Sequence, residues 1–176
     1  GDKPVHWCVD CGSALAEAEV EYEDKISPSI DFGFPIDNKT VSTIFGQELD
    51  LPVYVASWTT TPWTVPGNVA LTVNAEFDYC LVQVTKDSKD FCLIIGTDLV
   101  EATLERIGVK DSKKLGSCKG EKLENVDAKH PYLDRSSKFV LGDHVTTEVG
   151  TGIVHTSPGH GLEDYLVAME YDLEIL

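Results

Sequence analysis

Three consecutive threonines, two prolines and an asparagine within eleven residues cannot complete a sheet ladder, and residues 58–68, WTTTPWTVPGN, hold all of them. Each proline removes a backbone donor and is confined to sheet edges or strand ends, and each hydroxyl needs a polar partner. The run LPVYVAS at 51–57 therefore reads as a strand that ends in a shaped, polar pocket wall. A second segment far downstream, GTGIVHTSPGHGLED at 150–164, has the same character. Its glycines bracket a short apolar strand, and a His, a Pro, a His and two acids follow just before a helical pattern. The two segments form a natural pair of walls for one site.

The 176 residues are one domain's worth, long enough to bury roughly two thirds of the unfolded surface without disulfides or metal. A net charge of −16, from 30 acids against 14 Lys and Arg, argues against autonomous nucleic-acid binding, because phosphate contacts supply most of that affinity. Any nucleic acid is expected to be presented by another part of a parent protein. The same acidity also serves plain solubility. No apolar run approaches the roughly twenty residues of a membrane span, so no membrane role is expected. The start at GDKPVHW, without Met or secretory signal, and the end just after a helical pattern suggest a fragment of a longer protein. Five cysteines, Cys8, Cys11, Cys80, Cys92 and Cys118, give an odd count that fits free thiols in a reducing cytoplasm.

Alternation over 17–34 suggests two half-buried strands joined by a Ser-Pro turn, and further strands are expected at 51–57, 68–73, 79–84, 91–95 and 152–156. Two helices are expected, 97–108, opening with a Thr97 cap and closing at Gly108, and 162–173. Residues 109–147 are weakly patterned and read as short strands and loops. Strands do not alternate regularly with helices, so the fold expected is a β-rich α+β domain with strongly curved or barrel-like sheets.

Cys8 and Cys11 have the spacing of half a zinc site, with His6 as a third candidate, but no second pair follows at a suitable distance. No metal is therefore expected in this stretch. Thr59, Thr60 and Thr61 offer a row of hydroxyls, and Asn68 an amide able to hold a water or polarise a carbonyl; alternatively they satisfy local backbone groups at a strand end. Asp164, in the first turn of a helix, either faces a ligand ammonium or stabilises its own helix dipole. His155 and His160 are catalytic candidates or hydrogen-bonded loop imidazoles. There is no phosphate-binding G-x-x-x-x-G-K-[ST] loop and no G-x-S-x-G elbow, and a triad of Ser157, His155 and Asp164 has no support from spacing. The residues describe a polar cleft with one carboxylate, one imidazole, several hydroxyls and no covalent nucleophile.

From KPVHWCVDC and ALAEAEVEY through WTTTPWTVPGN to GTGIVHTSPGHGLEDY, nearly the whole chain resembles the editing (CP1) domain inserted in the catalytic core of class I isoleucyl-tRNA synthetases, of the bacterial type. The resemblance implies a single editing domain over 1–176, with 1–16 a linker or partial zinc-ribbon segment. It implies hydrolysis of valine misattached to tRNA(Ile), and of valyl-adenylate. One methylene is too small a difference for one binding step, a limit for which the isoleucine and valine pair is itself the standard illustration, so a second sieve removes what is small enough to enter. The resemblance gives Asp164 the α-ammonium of the misattached valine, and His155 a place against the amino-acid side chain that limits its size. Thr60 and Thr61 would contact the aminoacyl group and terminal ribose, with Thr59 a weaker member, while Asn68 would help position the attacking water. The implied partners are the 3′ end of tRNA(Ile), presented by the full-length synthetase, and valyl-adenylate or valyl-adenosine. The expected protein is a cytoplasmic monomer, with ATP, magnesium and zinc needed only by the full-length enzyme. The alternative class is a non-catalytic ligand-binding or structural insertion of a related synthetase.

Overall fold

The computed structural model describes residues 6–8, 13–15 and 29–176. Of the two strands expected over 17–34, the first lies outside the described residues, and the half zinc site at Cys8 and Cys11 lies outside the described side chains; of the first 28 residues only the backbones of β1 (His6–Cys8) and β2 (Ser13–Leu15) are described, paired antiparallel.

Two further sheets carry the domain. The larger is built from β3 (Ile30–Ile36), β4 (Val53–Thr59), β6 (Asp78–Lys86), β7 (Lys89–Gly96) and β8 (Asp111–Lys119), in the order β3-β4-β7-β6-β8. The smaller has the order β11-β5-β10-β9, from β5 (Ala70–Val73), β9 (Asp127–Lys129), β10 (Ser136–Leu141) and β11 (Val154–Thr156). Most pairings are antiparallel, but β4 pairs with β7 and β5 with β10 in parallel. The fold is thus α+β and β-rich, as the spacing of strands and helices predicts.

Period-two alternation places the core between the sheets. Phe34, Val53, Val55, Leu81 and Ile94 from the large sheet meet Leu71, Val73 and Phe139 from the small one. Burying each such side chain contributes about 1.5–3 kcal/mol. The opposite face of the large sheet, with Ala56, Val82, Leu93 and Ile95, is covered by Leu99 and Leu104 around helix α2 (Val100–Ile107). Gly108 closes α2 in the left-handed region at φ 76°, where a glycine has no Cβ penalty. Thr97 does not cap that helix: it lies in a 3-10 turn, Thr97–Leu99, without a side-chain cap, and its hydroxyl sits 3.0 Å from Cys80 Sγ.

Helix α1 (Asn38–Phe45) is not foreseen by the pattern. Asp37 caps it by accepting from the Thr40 amide at 3.3 Å, and it buries Val41 and Phe45. Helix α3 (Leu162–Tyr171) packs Val167 against Ala70 and Val140. It leaves Leu162, Leu166 and Met169 exposed.

Three side chains tie the approach to β11 onto β4 and β6. Thr151 donates to the Ala56 carbonyl at 2.7 Å, Ser57 to the Ile153 carbonyl at 3.0 Å, and Tyr79 to the Gly152 carbonyl at 2.6 Å. These bonds bring together residues 96, 95 and 73 positions apart in the chain.

Candidate functional site

Alternation along β4 sends Val53, Val55, Ser57 and Thr59 to the inter-sheet side, and the hydroxyl of this last strand residue meets Thr61. Trp58 faces the other way, with the Arg106 guanidinium 5.9 Å from its ring. Pro62 then opens a 3-10 turn, Pro62–Gly67, that Thr61 precedes. The turn folds back on itself: the Thr61 amide donates to Thr59 Oγ1 at 3.0 Å, and the Thr64 hydroxyl donates to the Thr61 carbonyl at 2.8 Å. From outside, His130 Nε2 donates to the Val65 carbonyl at 2.8 Å and Arg135 donates to the Pro66 carbonyl at 2.6 Å. The Gly67 end approaches the chain after β11 so closely that a Cβ there would lie 2.6 Å from Ser157 Oγ.

His155 is the centre of the cluster. It sits on β11 opposite Leu71 of β5, is 7% exposed, and has both ring nitrogens engaged: Nδ1 lies 2.7 Å from Asn68 Nδ2, and Nε2 lies 2.8 Å from Thr64 Oγ1. Asn68 is fully buried; its amide also donates to the Ala70 carbonyl at 2.9 Å and accepts from Ser137 at 2.6 Å. Phe32 packs against the imidazole in a T-shaped arrangement, with ring centroids 6.0 Å apart. Asp164 stands at the other end, in the first turn of α3, where its Oδ2 accepts from the Ser157 amide at 2.9 Å.

No protein-family model matches the chain. Individual proteins do. An isoleucine–tRNA ligase of Shewanella baltica is 54% identical over 99% of the chain, and that of Shewanella putrefaciens is also 54% identical over 99%. The chain spans only 19% of the length of each. Among solved structures, GlLeuRS-CP1 superposes with a TM-score of 0.66 at 17% identity, covering 84% of this chain and 66% of that one. The editing domain of the P. knowlesi cytosolic leucyl-tRNA synthetase follows at a TM-score of 0.62 and 17% identity, covering 78% of this chain and 59% of that one. In sequence the chain is similar to one segment of isoleucine–tRNA ligases. Sequence places it among the ligases and fold among the CP1 domains.

Within this editing-type fold, the structure brings Thr59, Thr61, Asn68 and His155 into one hydrogen-bonded cluster. Thr59 is buried and accepts locally, while Thr61 is half-buried and Thr60 exposed. Among the described residues the Thr61 hydroxyl has only longer partners, Thr59 Oγ1 at 3.2 Å and Thr64 Oγ1 at 3.4 Å. Asn68 is placed differently from the expectation that it holds a water. It has no exposed surface, and both its amide hydrogens are committed. His160 is exposed beside Gly67 and joins no hydrogen bond to His155 or Asp164 among the described residues.

Burial sets the charges. Removal from water pushes the His155 imidazole down to about 4, helped by His130 and His160, so it is neutral near pH 7. The same desolvation raises Asp164, against the lowering effects of the Ser157 amide, His144 and His160. Cys80, Cys92 and Cys118 are free thiols, and burial pushes Cys118 up to about 11. Among the described residues no group of three or more His, Cys, Asp or Glu is arranged to hold a metal ion.

Thr64, Ser137, His130 and Arg135 support the site without having been singled out. Thr64 lies inside the threonine and proline segment and could have been read with it. Ser137 has no local signal, since its partner Asn68 is 69 residues away. A mainly apolar groove of about 300 Å³ beneath α2 includes Phe32 but no member of the hydrogen-bond cluster, so the site is defined by that cluster and not by a deep cavity. Among the described residues no helix is long and apolar enough to cross a membrane.

Proposed function

We propose that the chain hydrolyses the ester that links a misattached valine to tRNA(Ile), and also valyl-adenylate, as the proofreading segment of an isoleucine–tRNA ligase. The observation that carries this reading is the hydrogen-bonded cluster of Thr59, Thr61, Thr64, Asn68 and a buried neutral His155 in a CP1-type fold, with Asp164 held on the Ser157 amide just after β11. Supporting it are the isoleucine–tRNA ligase relatives at 54% identity.

In this reading the valine ammonium meets the remaining oxygen of Asp164, since only Oδ2 is taken by the Ser157 amide. An ammonium there would also favour the ionised form that burial disfavours. His155, with Phe32 behind it, bounds the aliphatic side chain. The Thr60 and Thr61 hydroxyls hold the ester and the attacking water and donate to the oxyanion as it develops. Water adds to the ester carbonyl, the C–O bond to the ribose breaks, and the ribose oxygen leaves with a proton. Valine is released as the free acid. The acidic surface would leave the polynucleotide to the remainder of the synthetase.

The test is single-turnover release of valine from Val-tRNA(Ile) by a full-length ligase carrying this segment, beside the same enzyme with Asp164→Ala. Release by the parent no faster than without enzyme would remove the hydrolytic reading, and equal release by both would remove Asp164 from it. Binding of a valyl-adenosine analogue without hydrolysis would favour a ligand-binding insertion.

A further inference from the structure

The hydrogen bonds around His155 have a direction that only one arrangement of protons satisfies. The Ala70 carbonyl can only accept, so the Asn68 atom 2.9 Å from it must be the donor Nδ2. Ser137 Oγ then donates to Asn68 Oδ1 at 2.6 Å, which fixes the amide from its other side. The second Nδ2 hydrogen points at His155 Nδ1, 2.7 Å away, so Nδ1 must be an unprotonated acceptor. A neutral imidazole with a bare Nδ1 carries its proton on Nε2, which donates to Thr64 Oγ1 at 2.8 Å. The Thr64 hydroxyl, having accepted, donates onward to the Thr61 carbonyl at 2.8 Å. One unbroken sequence of donors runs from Ser137 to the turn that carries the threonine row.

We propose that Asn68 is a positioning residue that locks His155 in the neutral form protonated on Nε2, so that the imidazole braces the Thr61–Thr64 turn and is withheld from acting as the general base. The second half of this statement rests on the hydrolytic reading above; the lock itself does not. A base needs a free lone pair within reach of the water. The lone pair on Nδ1 is taken by a fully buried amide, and Nε2 has none to give. Protonating Nδ1 would set an N–H against the Asn68 N–H, and the amide cannot turn over without setting Oδ1 against the Ala70 carbonyl. The imidazole is left with its carbon edge and its ring faces for contact, which suits a wall against an aliphatic side chain.

The lock is read directly by nitrogen NMR of the chain labelled with ¹⁵N-histidine, the His155 signals being identified by their loss in His155→Gln. At neutral pH the expected spectrum shows a proton coupled to Nε2 and none on Nδ1. Asn68→Asp should reverse this, because a carboxylate only accepts and so draws the proton to Nδ1. A proton on Nδ1 in the parent overturns the proposal, as does an Asn68→Asp variant that keeps the parent's pattern. Should the buried carboxylate unfold the chain, Asn68→Ala takes its place. It is expected to leave His155 exchanging between both tautomers, and a sharp, unchanged Nε2 proton would overturn the lock. Deacylation is read separately in the full-length ligase. An enzyme with the expected proton that releases no valine defeats the hydrolytic reading and leaves the lock standing.

Discussion

Asp164 accepts the Ser157 backbone amide at 2.9 Å, which ties the first turn of α3 to the residue that follows β11. The carboxylate therefore has a structural duty beside any ligand duty, and the two are separated by choosing the substitution. Asp164→Asn keeps an acceptor for Ser157 and removes the charge; Asp164→Ala removes both. The Asn variant is expected to melt close to the parent yet bind a valyl-adenosine analogue ten- to a hundredfold more weakly, since a charged hydrogen bond is worth about 1.5–3 kcal/mol. Calorimetric titration beside a thermal melt decides it. An Asn variant that binds like the parent would leave Asp164 as a helix and loop anchor only.

Thr61→Ala should slow valine release about a hundredfold or more, the usual result of removing one donor from a developing oxyanion. Folding should hardly change, because the Thr61 hydroxyl is half-exposed and its contacts at 3.2 and 3.4 Å are long. Thr64→Ala is the contrasting case. It strips a partner from the buried Nε2 of His155, so stability should fall by about 1–3 kcal/mol. Urea titrations and single-turnover deacylation of both variants check the pair. Equal stability losses would mean that the two threonines do not divide the work in this way.

Ser157 has a buried hydroxyl with no hydrogen-bond partner among the described residues. Replacing an unpaired buried polar group by an apolar one of similar shape is neutral or stabilising. Ser157→Ala is therefore expected to raise stability by up to about 1 kcal/mol, or to leave it unchanged. The same substitution makes room beside Gly67, whose added Cβ would otherwise meet that oxygen at 2.6 Å. Gly67→Ala should accordingly cost less in the Ser157→Ala background than alone, and a double-mutant cycle by denaturant unfolding measures the difference. A Ser157→Ala variant that loses more than about 1 kcal/mol would show that the hydroxyl has a partner in solution.

What could be read along the chain follows from the range of the interactions that create it. The strands at 51–57, 79–84 and 91–95 were legible because period-two burial is written into neighbouring residues, and they form β4, β6 and β7. Helix α1 was not, since NKTVSTIF is rich in β-branched residues and depends on its ends, the Asp37 cap and the left-handed Gly46 at φ 67°. The parallel pairs β4–β7 and β5–β10 depend on chain crossovers that no local window contains. The two polar segments that meet at His155 were legible as polar punctuation after apolar strands. The full burial of Asn68 was not, because Ser137 and His155, 69 and 87 residues away, decide it.

Acid should destabilise the chain through His155, and the sign follows from its lowered value. The unfolded imidazole takes up its proton near 6.5, the folded one only near 4. Between these values the unfolded state holds more protons, so stability rises with pH across the window. This contribution is fully present above about pH 6.5 and is lost as pH falls toward 4, at no more than about 1.4 kcal/mol per pH unit. His130, also lowered by burial, acts in the same direction, and Asp164, raised by burial, in the opposite one. The difference between the parent and His155→Gln cancels both. Urea unfolding at pH 4.5 and 7 should show the parent losing more stability than the variant on acidification. Equal losses would mean that His155 titrates alike in both states.

His155→Ala separates a wall from a base. Shortening the wall should leave valine able to enter and relieve the clash that excludes the larger isoleucine. Forcing one methylene into a packed site costs about 1–3 kcal/mol, so its relief should speed hydrolysis of Ile-tRNA(Ile) by roughly one to two decades. Removing the imidazole also leaves the Asn68 amide and Thr64 hydroxyl without their partners at 2.7 and 2.8 Å. The variant should consequently be less stable by about 1–3 kcal/mol or more, and the assay is best run well below its melting temperature. A general base would give the reverse kinetic result, with both esters surviving longer. Deacylation of Val-tRNA(Ile) and Ile-tRNA(Ile), measured side by side in the full-length ligase, tests the wall: an equal loss of both activities would sink it.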